Sequence, residues 1–187
     1  MNQHIAISSV DLLHSKQEEW FHLSPDKRIS ILKGMKVRAQ KLSFSDWGDK
    51  TATTNGHDLT SAFGLIQKGF DMLSGASVVI SLLDELIQSL SSEKPLYKQA
   101  RPSKDGRDYY TVSPVLSSDR FKPTKTLRAE VWSLNKQKEE KQLPGVALVL
   151  GAGNQPFLAY SDVLYQLFVD KKCCILKHHP LRESMEP

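Results

Sequence analysis

The 187-residue chain has only two cysteines, Cys173 and Cys174, and they are adjacent. Neighbours in an extended run face opposite ways and cannot staple distant segments together. A disulfide-built extracellular scaffold is therefore not expected, and a reducing compartment is. Long apolar runs are lacking as well, and none approaches the ~18 residues that cross a bilayer as a helix. A membrane-spanning helix is not expected. The N-terminus, MNQHIAISSVDLLHSKQEEW, has neither the cationic start nor the apolar core of a secretory signal. Asp11, Glu18 and Glu19 argue against a transit peptide, so a cytoplasmic location is the expectation. Charge of one sign is also missing. The net charge of +4 arises from 25 Lys and Arg scattered among 21 Asp and Glu, and the stretch KQKEEKQ at 136–142 is nearly balanced. A nucleic-acid surface would gather its bases on one face among aromatics, so no nucleic-acid partner is expected. There is no internal repeat and no low-complexity tract.

What is present is globular. Apolar residues make up 40% and charged residues 25% of the chain, near the soluble average. Leu12, Leu13, Trp20 and Phe21 place a helical stripe on Val10 to Leu23. Ser24-Pro25-Asp26 then supplies a capping hydroxyl, a first-turn proline and an early acid. Ile29, Leu32, Met35 and Leu42 follow at helical spacing, with Ile31 widening the stripe, so a helix is expected over Asp26 to Leu42 in a hairpin with the first. Phe44 to His57 is small, polar and ends near an Asn55-Gly56 turn signal, which predicts a loop. Asp58 to Leu73 and Ala76 to Leu90 read as two more helices, closed at Ser74-Gly75 by a left-handed glycine. Ser91 to Pro123 reads as polar surface wrapping with one short strand at Tyr109 to Val112. Leu127 to Leu134 alternates as a strand with Leu127, Ala129, Val131 and Ser133 on one side. The expected division is a helical region at 1–95, an irregular polar segment at 96–143 and a terminal unit at 144–187.

That terminal unit concentrates the chemistry. An apolar run from Val146 to Leu150 breaks at Gly151-Ala152-Gly153-Asn154, an amphipathic stretch runs from Phe157 to Val169, and a second apolar run, Cys173 to Leu176, stops at Lys177. The pattern is strand, glycine turn, helix, strand. Three readings of the turn are open. It could start a dinucleotide fingerprint, although Pro156 stands where the full pattern needs glycine or alanine. It could simply join a strand to a helix. Or Asn154, at a point where backbone amides converge, could donate its side-chain amide to a developing oxyanion.

The run VALVLGAGNQPFLAYSDVLYQLFVDKKCCILKHHP resembles the coenzyme-domain segment of the aldehyde dehydrogenase superfamily. There a strand ends in a turn carrying Asn-x-Pro, a helix follows and the next strand closes on Lys; the matching positions here are Asn154, Pro156 and Lys177. The GAGN turn, Asp162-Val163-Leu164-Tyr165, the Lys-x-x-Pro ending and AEVW at Ala129 to Trp132 are similar to a divergent branch. Trp20 and the Arg28 to Leu32 pattern resemble the superfamily's opening helices. The resemblance implies an α/β protein in which N-terminal helices precede the opening βαβ of a parallel, Rossmann-like coenzyme sheet. It implies NAD(P)-dependent oxidation of an aldehyde substrate to an acid. Asn154 would be the oxyanion donor, a contribution of roughly 2.7 to 4 kcal/mol at the transition state. Leu150, Gly151, Ala152 and Gly153 would offer backbone contacts to NAD or NADP, and Lys177 would hold the adenosine ribose or its 2′-phosphate.

Departures bound what is expected. The family often places Glu three residues after the lysine to grip the ribose; here Pro180 stands there, leaving Lys177 and its neighbours His178 and His179. Paired histidines without further ligands at suitable spacing do not predict a metal. The reaction needs a thiolate nucleophile and a carboxylate base. Cys173 and Cys174 occupy apolar strand positions and read as core residues. The expectation is thus an N-terminal portion lacking the nucleophile and inactive alone, with a homo-oligomer expected only of a full-length form. The alternative is a non-catalytic interaction or regulatory protein derived from that fold.

Overall fold

The computed structural model describes residues 3–92, 97–101, 107–115, 127–134 and 141–185. The fold is mixed α/β, with one antiparallel sheet and one parallel strand pair. Two units emerge: Met1–Gln88 with Gln142–Pro187, and Ser89–Lys141. Among the described residues no helix is long and apolar enough to cross a membrane.

The first unit opens with α1 (Gln3–Phe21), which begins well before the expected Val10. Helix α2 (Pro25–Ala39) starts as its sequence dictates, with the Ser24 side chain accepting from the amide of Lys27 and with Asp26 in the first turn. It ends earlier than expected, capped at Gln40, and leaves Leu42 beyond its end. Arg28 joins the two helices. It donates through Nε to the carbonyl of Leu23 at 3.1 Å and through Nη2 to those of Trp20 and Phe21.

The predicted loop at Phe44 to His57 is instead largely helical, as α3 (Phe44–Thr54). The side chain of Ser43 accepts from the amide of Asp46 at 3.2 Å, satisfying one of the amides a helix start leaves open. Its small residues are what make it pack. Gly48, Thr51 and Ala52 are buried, and a Cβ added at Gly48 would lie 2.6 Å from Cγ of Met72 and 2.9 Å from the Lys68 carbonyl. The Asn55-Gly56 turn does form, with Gly56 at φ +82°.

Helix α4 (Ala62–Ser74) starts later than the expected Asp58, because Asp58 to Ser61 build its cap. The Asp58 carboxylate accepts from the Thr60 amide at 2.9 Å, and the Ser61 hydroxyl accepts from the Gly64 amide at 3.0 Å. Gly64 has to be glycine, since a Cβ there would overlap the Asp58 carbonyl oxygen. Removing the cap hydroxyl in Ser61→Ala is expected to cost about 1 kcal/mol in urea unfolding. An unchanged midpoint would show that the cap contributes nothing.

Helix α5 (Ala76–Ser91) absorbs the β-branched run Val78, Val79 and Ile80. Gly75 between α4 and α5 is not left-handed as predicted, having φ −93°. Its glycine identity is steric, because the indole nitrogen of Trp47 occupies the space a Cβ would need. Lys36 of α2 and Asp84 of α5 form an ion pair at 2.5 Å, and Leu32, Leu83 and Leu86 are buried.

Strands β4 (Val146–Leu150) and β5 (Cys173–Lys177) pair in parallel, from Val146 opposite Cys173 to Leu150 opposite Lys177. Helix α6 (Pro156–Phe168) connects them and packs on both strands, as does α1. The apolar rows meet there. Val149, Ala159, Leu164, Phe168 and Cys173 are buried, and Trp20 stands edge-on to Phe168 with ring centres 5.7 Å apart. A 3₁₀ helix, Pro180–Met185, follows β5 and packs on α3.

The second unit holds an antiparallel sheet in the order β1 (Lys98–Arg101), β2 (Arg107–Ser113), β3 (Ala129–Leu134). The strands expected at Tyr109 to Val112 and Leu127 to Leu134 thus pair with each other, Tyr109 opposite Trp132 and Tyr110 opposite Val131. Strand β1 adds a second strand to the Ser91 to Pro123 stretch, beyond the one expected at Tyr109 to Val112. Residues 93–96, 102–106 and 116–123 of that stretch lie outside the described residues. Aromatic contacts bind the sheet, with Tyr97 edge-on to Tyr110 at 4.9 Å and the Arg107 guanidinium 4.2 Å over Trp132.

Candidate functional site

The glycine turn and Lys177 are brought together by strand register. Leu150 and Lys177 are partners at the carboxyl ends of the parallel pair, and the Gly151 amide donates to the Lys177 carbonyl at 2.8 Å. Both side chains, Leu150 and Lys177, are exposed. This is the edge at which open parallel sheets bind ligands.

The glycines are there for the protein's own packing. A Cβ at Gly151 would meet the Lys177 carbonyl at 3.2 Å and Cβ of Ala159 at 3.4 Å. A Cβ at Gly153 would lie 2.7 Å from the His179 ring, so that ring covers the face a phosphate would approach. Ala152 is half-buried between them. Asn154 is exposed in the bend before α6. The helix cap is the next residue, Gln155, which makes no side-chain cap bond. The turn therefore presents Asn154 outward just ahead of an N-terminus that its cap residue does not close with a side chain.

His178 and His179 have structural partners. His178 approaches Tyr160 edge-on at 6.2 Å, and Nδ1 of His179 accepts from the Leu181 amide at 3.2 Å. Among the described residues no three His, Cys, Asp or Glu side chains group as metal ligands. The cysteines are unsuited to attack. Burial pushes the Cys173 thiol above its usual range; burial, followed by its neighbour Cys173, pushes Cys174 up to about 11. Cys174 Sγ faces the Val163 carbonyl at 3.8 Å. Both thiols remain protonated near neutrality and pack as apolar groups.

Beside the turn lies a buried polar cluster that the sequence reading did not find. Arg182, from the 3₁₀ helix, donates through Nη2 to the Gly153 carbonyl at 2.6 Å and to Asn55 Oδ1 at 3.2 Å. It thereby ties the turn to the end of α3. Asp71 of α4 is buried nearby; burial raises its pKa, opposed by a 3.3 Å bond from Gln67 and by the charges of Arg182 and His57. Burial in turn lowers the Arg182 pKa, opposed by Asp71. Among the described residues, Arg182 Nε and Nη1, Asp71 Oδ2, Thr51 Oγ1 and Trp47 Nε1 are buried without a hydrogen-bond partner. Nothing local to PLRES marks Arg182 as an interior residue, and its partners come from 29 and 127 positions away.

A separate open hollow of about 250 Å³ runs along β4, lined by Ala147 to Leu150 with Asp162, Tyr165 and Gln166 of α6. It shares only Leu150 with the expected coenzyme residues. No family model matches this chain, and neither does any curated protein or solved structure.

Proposed function

We propose that the β4–α6–β5 unit is the coenzyme-binding start of an aldehyde dehydrogenase-like, Rossmann-type sheet, taking NAD or NADP at the carboxyl ends of β4 and β5. The observation that carries this reading is the register that sets Leu150 and the Gly151 turn beside Lys177, with Ala159 in the first turn of α6 packed against Gly151. Lys177 supplies an exposed cation for the ribose or 2′-phosphate, Leu150 to Gly153 supply backbone groups, and Asn154 is the oxyanion donor. The fit is partial. The adenosine side is accessible at Leu150 and Lys177, whereas the His179 ring occupies the Gly153 face and must turn aside for a pyrophosphate to reach it. Bound coenzyme would supply hydride acceptance in aldehyde oxidation; neither Cys173 nor Cys174 supplies the thiolate that reaction requires.

Coenzyme binding is tested by titrating NAD and NADP into the whole chain and into Lys177→Ala. The variant is expected to bind about fivefold more weakly, the ~1 kcal/mol of a solvent-facing charge contact. Equal affinity for both proteins would remove Lys177 from the site. A second reading, a non-catalytic interaction protein of the same fold, is favoured by the protonated thiols and by an apolar face on α4. Absence of any coenzyme binding would leave that reading standing.

A further inference from the structure

Helix α4 is built inside out. Its only two charged side chains point into the protein: Lys68 forms a 2.6 Å ion pair with Asp49 of α3, and Asp71 is buried. Its outer face is apolar. Phe63 is 64% exposed, Ile66 70%, Phe70 55% and Leu73 73%, with Leu65 at 55% beside them. The first four recur at i, i+3, i+7 and i+10, which is the spacing of a seam between two helices.

We propose that this stripe is a self-association surface on which α4 packs antiparallel against α4 of a second copy about a two-fold axis. Three arguments favour a copy of this chain as the occupant. The stripe contains no charge, so a partner surface carrying charges would have them buried unpaired, whereas the same stripe inverted matches it. The antiparallel arrangement sets opposite helix dipoles side by side. The area also suffices. Five large side chains each baring about 100 Å² give about 500 Å² per copy and about 1,000 Å² for the pair, the lower bound for a specific interface. With the axis between residues 66 and 70, Ile66 of one copy faces Phe70 of the other, and Phe63 faces Leu73.

The whole chain, followed by sedimentation velocity from about 1 to about 100 μM, is expected to pass from monomer to dimer, as an interface this small implies. Ile66→Lys and Phe70→Glu alter exposed positions, so each is expected to keep the native circular dichroism yet stay monomeric throughout. Mixing the two variants is expected to restore a dimer, because the introduced lysine of one then faces the introduced glutamate of the other, while the second contact, Phe70 against Ile66, stays apolar. A wild type that is monomeric at the highest concentration would overturn the proposal, as would variants that dimerise like the wild type or a mixture that fails to pair. A monomer whose Ile66→Cys thiol labels slowly would overturn it too, by showing that the chain's own residues cover the stripe.

Discussion

Replacing Arg28 with methionine is expected to remove about 3 to 5 kcal/mol of stability, the cost of leaving buried carbonyls without the donor that serves them. The side chain is 2% exposed and its guanidinium serves four backbone carbonyls. Two of them, Trp20 and Phe21, belong to the last turn of α1, where carbonyls have no partner within the helix. A third, Leu167, lies in the last turn of α6, 3.0 Å from Nη1. One planar fork therefore closes two helix ends at once, and the Trp20 ring 4.9 Å away covers it. Methionine keeps the volume but withdraws the donor from the Phe21 and Leu23 carbonyls at about 1 to 3 kcal/mol each, while the Trp20 carbonyl keeps the Leu23 amide at 3.2 Å and that of Leu167 keeps the Trp20 indole at 3.1 Å. Lysine is expected to recover less than half of the loss, since a single ammonium cannot span carbonyls set in different directions. Urea unfolding followed by tryptophan fluorescence reads this directly. A loss below 1 kcal/mol for Arg28→Met would mean that water takes over the guanidinium's role.

The same region shows why parts of the fold were legible. The start of α2 announces itself through Ser24, Pro25 and Asp26, whose groups act on neighbours in sequence. The β4–α6–β5 unit is legible for a related reason: two apolar runs must be buried, and the glycine turn and the amphipathic stretch leave one simple way to do so. Helix α3 was not, because periodicity reads apolar residues and α3 packs through Gly48, Thr51 and Ala52. Close approach between α3 and α4 replaces large side chains there. The pair Ser43 and Asp46 was the available signal, a cap and a first-turn acid, overshadowed by the small polar residues that follow. Gly75 is the complementary case. Its position after a helix suggests a left-handed turn, yet the reason for glycine is the Trp47 ring from another helix, which no local pattern carries.

At the candidate site, spacing placed the turn and Lys177 correctly at the ends of two strands, and the register brings them side by side. What spacing could not say is how the turn is held. Gly153 packs on His179, and its carbonyl accepts from Arg182, so the residues just after β5 fold back onto the turn that precedes α6. The position of Asn154, the next residue, thus depends on a side chain far along the chain. A charged residue in a short polar tail reads as solvated, and only the tertiary hydrogen bonds to Asn55 and Gly153, with the charge of Asp71 acting on it, show that Arg182 is interior.

Arg182→Leu is therefore expected to be the second large effect, and one that depends on pH. The leucine fills the buried space but withdraws the donor to Gly153 and Asn55 and the positive charge near Asp71, for about 3 to 5 kcal/mol at neutral pH. Burial already raises the Asp71 pKa above 3.8 in the native protein, with Arg182 opposing the shift. Removing Arg182 raises it further. A carboxyl whose folded pKa exceeds its unfolded value contributes most at low pH, and that contribution is lost as pH rises from the unfolded pKa through the folded one. The gap between wild type and Arg182→Leu should accordingly widen as pH increases from about 4 to 7 and narrow again on acidification. Arg182→Leu combined with Asp71→Asn should recover a large part of the neutral-pH loss, because the carboxylate that suffers is gone, while the acid-pH loss from the broken Gly153 and Asn55 bonds remains. Guanidinium unfolding at several pH values measures all three proteins. A gap that stays constant with pH, or a double variant no better than Arg182→Leu at neutral pH, would separate Asp71 from Arg182 and leave the arginine as a purely hydrogen-bonding clamp on the turn.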